Sequence, residues 1–354
     1  MSSSAEMSDA PPPATVTFGE PWPEFNNGLT YHDQVRTSDS GMTLIEFYSS
    51  KHKNSAPLQG WLQRIENGQI TIDGIVVTDT KKVLRPGSVL GYHRLPWKES
   101  SVPYLLEVLY EDDHLIALNK PSRLQVLPGG LFQQRTVLSQ LQWHARKENS
   151  SGARHESHPV PVHRLGRGTS GILLCAKTKL AKTRLASYFA EGTADIGGNR
   201  STKPELGEKR NILKKYRALV SGILDEDEVV IKQPIGTLQY PGVAKGFFHT
   251  SKPALSIVNV LERDVQGNST LVQVEIKSGR PHQIRIHLSF IGHPLIGDPL
   301  YVTGGQPKCF DSESLDESFA HDGGYRRPVN PVPGDCGYHL HAHQLALIHP
   351  MTNK

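Results

Sequence analysis

The stretch that decides the reading of this chain is Pro161–Thr178, PVHRLGRGTSGILLCAKT. It sets His163, Arg164 and Arg167 among Gly166, Gly168, Thr169, Ser170 and Gly171, then enters an apolar run, Ile172 to Ala176. A polar, glycine-rich turn ahead of a buried strand is a natural place for a binding or reactive group. A surface turn would use the same residues, with glycines at positive φ and local hydrogen bonds from Thr169 and Ser170. Gly166, Gly168 and Gly171 also fit G-x-G-x-x-G, with Glu191 downstream. That dinucleotide fingerprint requires a strand before the glycines and a helix opening on them. Here two prolines precede the glycines and a strand follows, so the order is reversed.

Composition narrows the field around this motif. The chain has 354 residues, enough for two domains. Its balance of 39 basic and 35 acidic residues gives a net charge of only +4, so a phosphate-binding surface must come from local clustering. The three cysteines, Cys175, Cys309 and Cys336, have no C-x-x-C spacing, which argues against a disulfide framework and a zinc site. No run of about 18 apolar residues suggests a membrane span. The N-terminal residues have neither the apolar core of a secretory signal nor early arginines. A cytoplasmic or nuclear protein, monomeric and away from membranes, is the expectation, with an organelle not excluded.

Residues 1–41 are rich in Ser, Pro, Asn and Gly and read as a flexible tail. Leu44, Ile45 and Phe47 then start an element, and Leu58, Trp61, Leu62 and Ile65 recur with the period of an amphipathic helix, which Gly68 can end. Ile70 and Ile72 alternate with polar neighbours before an Asp73-Gly74 hairpin turn, and Arg85-Pro86-Gly87 turns the chain ahead of Val89. Leu105–Tyr110 and Leu115–Asn119 predict a second hairpin whose acidic turn, Glu111 to Asp113, reads as a solvated tip. Helical spacing follows over 136–146 and 180–189, and a strand is expected over 219–224. Polar or Gly- and Pro-rich insertions fall at 147–158, 192–208 and 304–337.

Several of these segments resemble one family. HRLGRGTSGILLCAK is similar to the signature of RluA-type pseudouridine synthases, H-R-L-D-x-x-T-S-G followed by apolar residues and A-K, and a plant-type member is expected. His163, Arg164, Leu165, Thr169, Ser170, Gly171, Ala176 and Lys177 match, but the family's catalytic aspartate falls on Gly166. Asn119-Lys120-Pro121 matches the family's N-K-P, and Lys215-Tyr216-Arg217 lies in its K-x-Y-x-A-L-V-x-G segment. SGRPHQIRIHLSFIGHPLIGDPLY is the closest likeness, meeting G-R-x-H-Q-I-R-x-H and G-H-P-x-x-G-D-x-x-Y from Gly279 to Tyr301. Residues 42–98 resemble the small alpha-L-type RNA-binding domain carried by many relatives.

The resemblance implies an α+β fold: a mixed, mainly antiparallel sheet with flanking helices over 99–354, preceded by the small RNA-binding domain. It implies an RNA pseudouridine synthase acting on structured RNA, rRNA or tRNA, without cofactor; the alternative is an inactive homologue that binds RNA as a folding factor. It implies catalytic positions at Gly166, Arg285 and Tyr216, with Tyr216 packing against the target base and Arg285 pairing with the aspartate. Arg164 would fill the space left by the flipped base. RNA contacts are implied for His163, Arg164, Arg167, Thr169, Lys177, Lys215, Arg280, His282 and Gln283. Glycine offers no carboxylate, so a buried Arg285 would need another partner. Glu156 and Glu191 are the acids nearest the motif in sequence. His282 and His287 have no third ligand at metal spacing and sit in an arginine-rich run, so no metal is expected.

Overall fold

The computed structural model describes residues 15–53, 55–148, 158–194, 212–236, 246–247, 252–302, 319–322, 325–328 and 336–352, with the side chains of 148, 191–194, 246–247, 319–322 and 325–328 excepted. The chain runs β1 (Val16–Phe18), β2 (Leu29–Gln34), α1 (Leu44–Lys51), α2 (Leu58–Glu66), β3 (Ile70–Ile72), β4 (Ile75–Val76) and β5 (Val89–Arg94). It continues through β6 (Leu106–Glu111), β7 (Leu115–Lys120), α3 (Val137–Glu148), β8 (Val160–Pro161), β9 (Ser170–Ala176) and α4 (Lys179–Ala194). The remainder is β10 (Ile212–Ser221), β11 (Glu228–Ile231), β12 (Ile235–Gly236), β13 (Gly246–Phe247), β14 (Ser256–Asp264), β15 (Ser269–Ile276), α5 (Gln283–Phe290), β16 (Phe319–Asp322), β17 (Tyr325–Pro328) and β18 (Leu340–Leu347).

The small domain follows from local signals. Thr43 and Glu46 form a reciprocal capping box that starts α1. The apolar stripe of α2 buries Trp61 and Ile65 against Phe47, Leu44, Ile70 and Leu90. Tyr48 stacks on Trp61 with ring centroids 4.5 Å apart. Asp73 and Gly74 both hold positive φ, at 51° and 83°, as a two-residue hairpin turn between β3 and β4 requires. The sheet order is β2-β5-β3-β4.

This arrangement corrects the expected tail. Residues 15–41 are built into both domains: β1 pairs with β6, and β2 pairs with β5. Phe18 enters the large domain's core. These strands are short and half exposed, so their order comes from the ladder partner and not from a periodic apolar pattern of their own. At the domain boundary, buried Glu99 accepts hydrogen bonds from Asn26 Nδ2 and from the backbone N–H groups of Gln133, Gln134 and Arg135, at 2.8 to 2.9 Å. Arg94 lies over the Trp97 ring at 3.5 Å and donates to the carbonyl of Gly130, so the small domain touches the 125–135 loop.

The large domain is a ten-stranded sheet, β1-β6-β7-β9-β18-β10-β15-β14-β11, with β8 added beside β9. Only the β9–β18 pair is parallel among the described strand pairs, so the sheet is mixed and mainly antiparallel, and the class is α+β. Gly171 marks the crossing: its φ is +103°, and a Cβ there would meet the carbonyl oxygen of Ala342 at 2.3 Å. Two apolar cores flank it, one around Leu106, Leu118 and Leu173, the other around Val258, Val272, Ile284 and Leu288. Tyr216 packs against both.

Two further expectations are revised. The strand placed at 219–224 is Ile212–Ser221; it takes in the basic run Lys214–Arg217 because β15 and β18 offer backbone partners on both sides, and Gly222 at φ +83° ends it. Asp112 is no mere solvated tip. It accepts from the N–H groups of His114 and Leu115 and pairs with His349; against the raising effect of burial, these donors hold its pKa down at about 2. The insertions at 147–158 and 192–208 lie largely, and that at 304–337 mostly, outside the described residues.

Candidate active site

The Pro161–Thr178 and Gly279–Tyr301 segments, far apart in sequence, meet in one cleft of about 610 Å³. Its wall includes His163, Arg164, Gly166, Arg167 and Thr169 from the first segment, Arg280, His282, Gln283 and Arg285 from the second, and Lys214 and Tyr216 from β10. Gln125 to Gly129, Phe189 on α4, and Tyr338 and Leu340 leading into β18 complete it.

The turn at 163–169 is fixed from beneath by a buried lysine. Lys120 Nζ donates to the carbonyls of Pro121, Leu124 and Arg167, at 2.9, 2.8 and 3.2 Å, and Ser122 Oγ donates to the carbonyl of Gly168. His163 serves the same scaffold. Its Nε2 accepts from the N–H of Leu174 and its ring stacks on Phe189. Burial, then the nearby Lys214, lower its pKa to about 3, so the ring is neutral. Arg164 is exposed at the cleft, while Arg167 lies over the Phe132 ring at 4.7 Å.

The second segment is internally braced. Gln283 Oε1 accepts from Ser278 Oγ and the N–H of Arg280, while its Nε2 donates to Leu255 O and Ser256 Oγ. His282 adopts a left-handed conformation, φ 56°, at the start of α5, and its Nδ1 is hydrogen-bonded to Tyr301 Oη at 2.9 Å. Arg280 Nε donates to the carbonyl of Pro253.

Arg285 carries the main correction to the expected pairing. It is buried and has a carboxylate partner within its own motif, Asp298, through two bonds of 2.7 Å from Nε and Nη2. Burial alone would lower the arginine's pKa, but the hydrogen bonds to Asp298 and the charge interactions with Tyr338, Asp298 and Tyr301 together outweigh it, and the net shift is upward. Asp298 Oδ1 also accepts from the N–H groups of Leu300 and Tyr301. The guanidinium lies 4.3 Å from the ring centre of Tyr338 and 5.0 Å from that of Tyr301.

Two of the expected site residues are distributed differently. Lys177 is at the far end of β9, paired with Glu111 at 2.8 Å, and Lys215 is off the cleft wall, which takes Lys214 instead. Gly166 is at the cleft without a side chain. Glu156 lies outside the described residues, as does the side chain of Glu191. No Asp or Glu is among the described residues of the wall. Phe189, Asp298 and Tyr338 were not singled out for the site from sequence; Asp298 stood in the G-D-x-x-Y motif, whereas Tyr338 had no motif to mark it.

The family model for RNA pseudouridylate synthase matches residues 114–290. The chain is 65% identical to RNA pseudouridine synthase 5 of Arabidopsis thaliana, over 96% of this chain and 93% of that one. It is 62% identical to RNA pseudouridine synthase 5 of Oryza sativa subsp. japonica, over 98% and 90%. It is also 33% identical to ribosomal large subunit pseudouridine synthase D of Nitrosomonas europaea, over 84% and 74%. The chain belongs to the RNA pseudouridylate synthase family.

Proposed function

We propose that this chain isomerises particular uridines in structured RNA, rRNA or tRNA, to pseudouridine. The observation that carries the reading is the convergence of the two segments on one cleft with Tyr216 in its wall. Burial pushes the Tyr216 phenol up to about 12, so it stays neutral and offers a ring face to a base. A uridine must leave the stack to reach such a cleft. Arg164, exposed at the cleft, is placed to fill the vacated space. Lys214, Arg167 and Arg280 would meet phosphates, an interaction that weakens with salt. The domain over residues 42–98 would add RNA contacts and is tied to the cleft loop through Arg94, with Glu99 just beyond it bonded to the same loop.

The test is tritium release from unmodified rRNA and tRNA transcripts labelled at uridine C5, because forming the new carbon–carbon bond expels that hydrogen. Release by the wild-type chain is expected. Tight RNA binding with no release would show an RNA-binding homologue instead.

A further inference from the structure

Breaking the glycosidic bond of uridine builds positive charge on the ribose, which calls for an electron-rich group beside C1′. The cleft supplies no carboxylate among its described wall residues. What stands beside position 166 is a phenol. A Cβ built on Gly166 would lie 2.9 Å from Tyr338 Oη and 3.4 Å from Thr169 Oγ1, so a side chain at 166 and the Tyr338 hydroxyl claim the same space.

The rest of the surroundings fit a reactive hydroxyl. Tyr338 lines the cleft, yet only 5% of its surface is exposed. Its hydroxyl is 3.3 Å from Thr169 Oγ1. Its ring faces the Arg285 guanidinium, which Asp298 holds in place, so a cation lies against the ring where negative charge on the phenol would need it. The ring is delivered by a close backbone approach. Gly337 has φ +105°, a Cβ on Gly297 would meet the carbonyl oxygen of Gly337 at 2.3 Å, and the N–H of His339 donates to Ile296 O.

We propose that Tyr338 is the catalytic group that takes the place of the absent carboxylate, with its phenol oxygen meeting C1′ of the target uridine; this rests on the functional reading above. The phenol oxygen bonds to C1′ as the C1′–N1 bond breaks. The electron pair of that bond stays on N1, which takes up the phenol proton. The uracil turns, the electrons at C5 attack C1′, and the phenol oxygen leaves with its bonding pair. The C5 proton passes to that oxygen and restores the phenol. The base has lost a C5 hydrogen and gained one on N1, and nothing else is consumed. Two displacements at C1′ retain its configuration, and a tyrosine nucleophile at a sugar carbon has precedent among glycosidases.

The experiment uses the same tritiated transcripts under single-turnover conditions, with RNA affinity and thermal melting measured beside release. Tyr338→Phe should lower release on the order of 10³-fold while RNA affinity stays within about threefold. The double variant Tyr338→Phe with Gly166→Asp should regain release, because the carboxylate then enters the space that the hydroxyl leaves. Fluorotyrosine at position 338 should move the pH–rate profile to lower pH, a shift that a purely structural role would not produce. If Tyr338→Phe releases tritium at the wild-type rate, or the fluorinated chain keeps the profile unmoved, the assignment is overturned and the functional reading stands. If the wild-type chain releases none, the functional reading fails and the assignment with it.

Discussion

The two segments that wall the cleft are held in opposite ways. From Gly279 to Tyr301 nearly every polar group is matched inside the segment or by the strands beneath it: Gln283 makes four hydrogen bonds, Asp298 grips Arg285 by two atoms, and His287 bridges Ser256 and Gln233. From His163 to Thr169 the backbone is anchored by Lys120 and Ser122, while the cationic side chain of Arg164 is exposed and position 166 carries none. The difference shows a division of labour. One segment fixes the electrostatics of the cleft permanently, and the other leaves Arg164 exposed to RNA.

The sharpest way to break this comparison is Asp298→Asn. It removes the negative partner of an arginine whose side chain is 3% exposed, and a buried pair broken on one side costs about 3–5 kcal/mol. Urea unfolding should show a loss of that size, with tritium release falling too. A loss below about 1 kcal/mol, the value of an exposed pair, would mean that the segment is not locked by charge.

Acidification tests the same lock more gently. His287 is fully buried, and burial, partly opposed by its bond to the Gln233 carbonyl, lowers its pKa to about 4 from an unfolded value near 6.5. Between about pH 6.5 and 4 the unfolded chain therefore binds a proton that the folded chain refuses, and stability must decline as pH falls through that window. Unfolding free energy should drop by on the order of 2 kcal/mol there, and His287→Gln should flatten the decline. An unchanged slope in the variant would place the acid sensitivity elsewhere, with His163, lowered to about 3, the next to replace.

The smallest effect should come from the open segment. Arg164→Ala should leave stability within about 0.5 kcal/mol, as surface changes usually do, and weaken RNA binding by roughly tenfold with a shallower salt dependence. A clear loss of stability would show that this segment, too, is part of the scaffold.

Much of the fold was legible because the signals were local. The Thr43 capping box, the α2 stripe and the Asp73-Gly74 turn each specify their own geometry over a few residues. Other elements were not. QIRIHLSF alternates polar and apolar residues as a strand would, yet it forms α5, with Gln283 to Ser289 all buried. A helix enclosed on all sides has no exposed face to impose a helical period. β1 and β2 were missed for a related reason, since edge strands this short take their order from the partner ladder. The motifs brought the right residue types to the cleft, but not the pairing inside it.

The sequence by itself determined the family and, through that resemblance, the α+β class and the two segments that form the cleft, because the motifs that carry the resemblance are residues at fixed spacings. Only the tertiary structure decided that Arg285 is paired with Asp298, that Lys120 supports the Gly166 turn, and that the Tyr338 hydroxyl stands where a side chain at 166 would be. These are contacts between residues 13, 47 and 172 positions apart. The physical reason is that charge pairing and excluded volume act through space, and distance along the chain carries no trace of them.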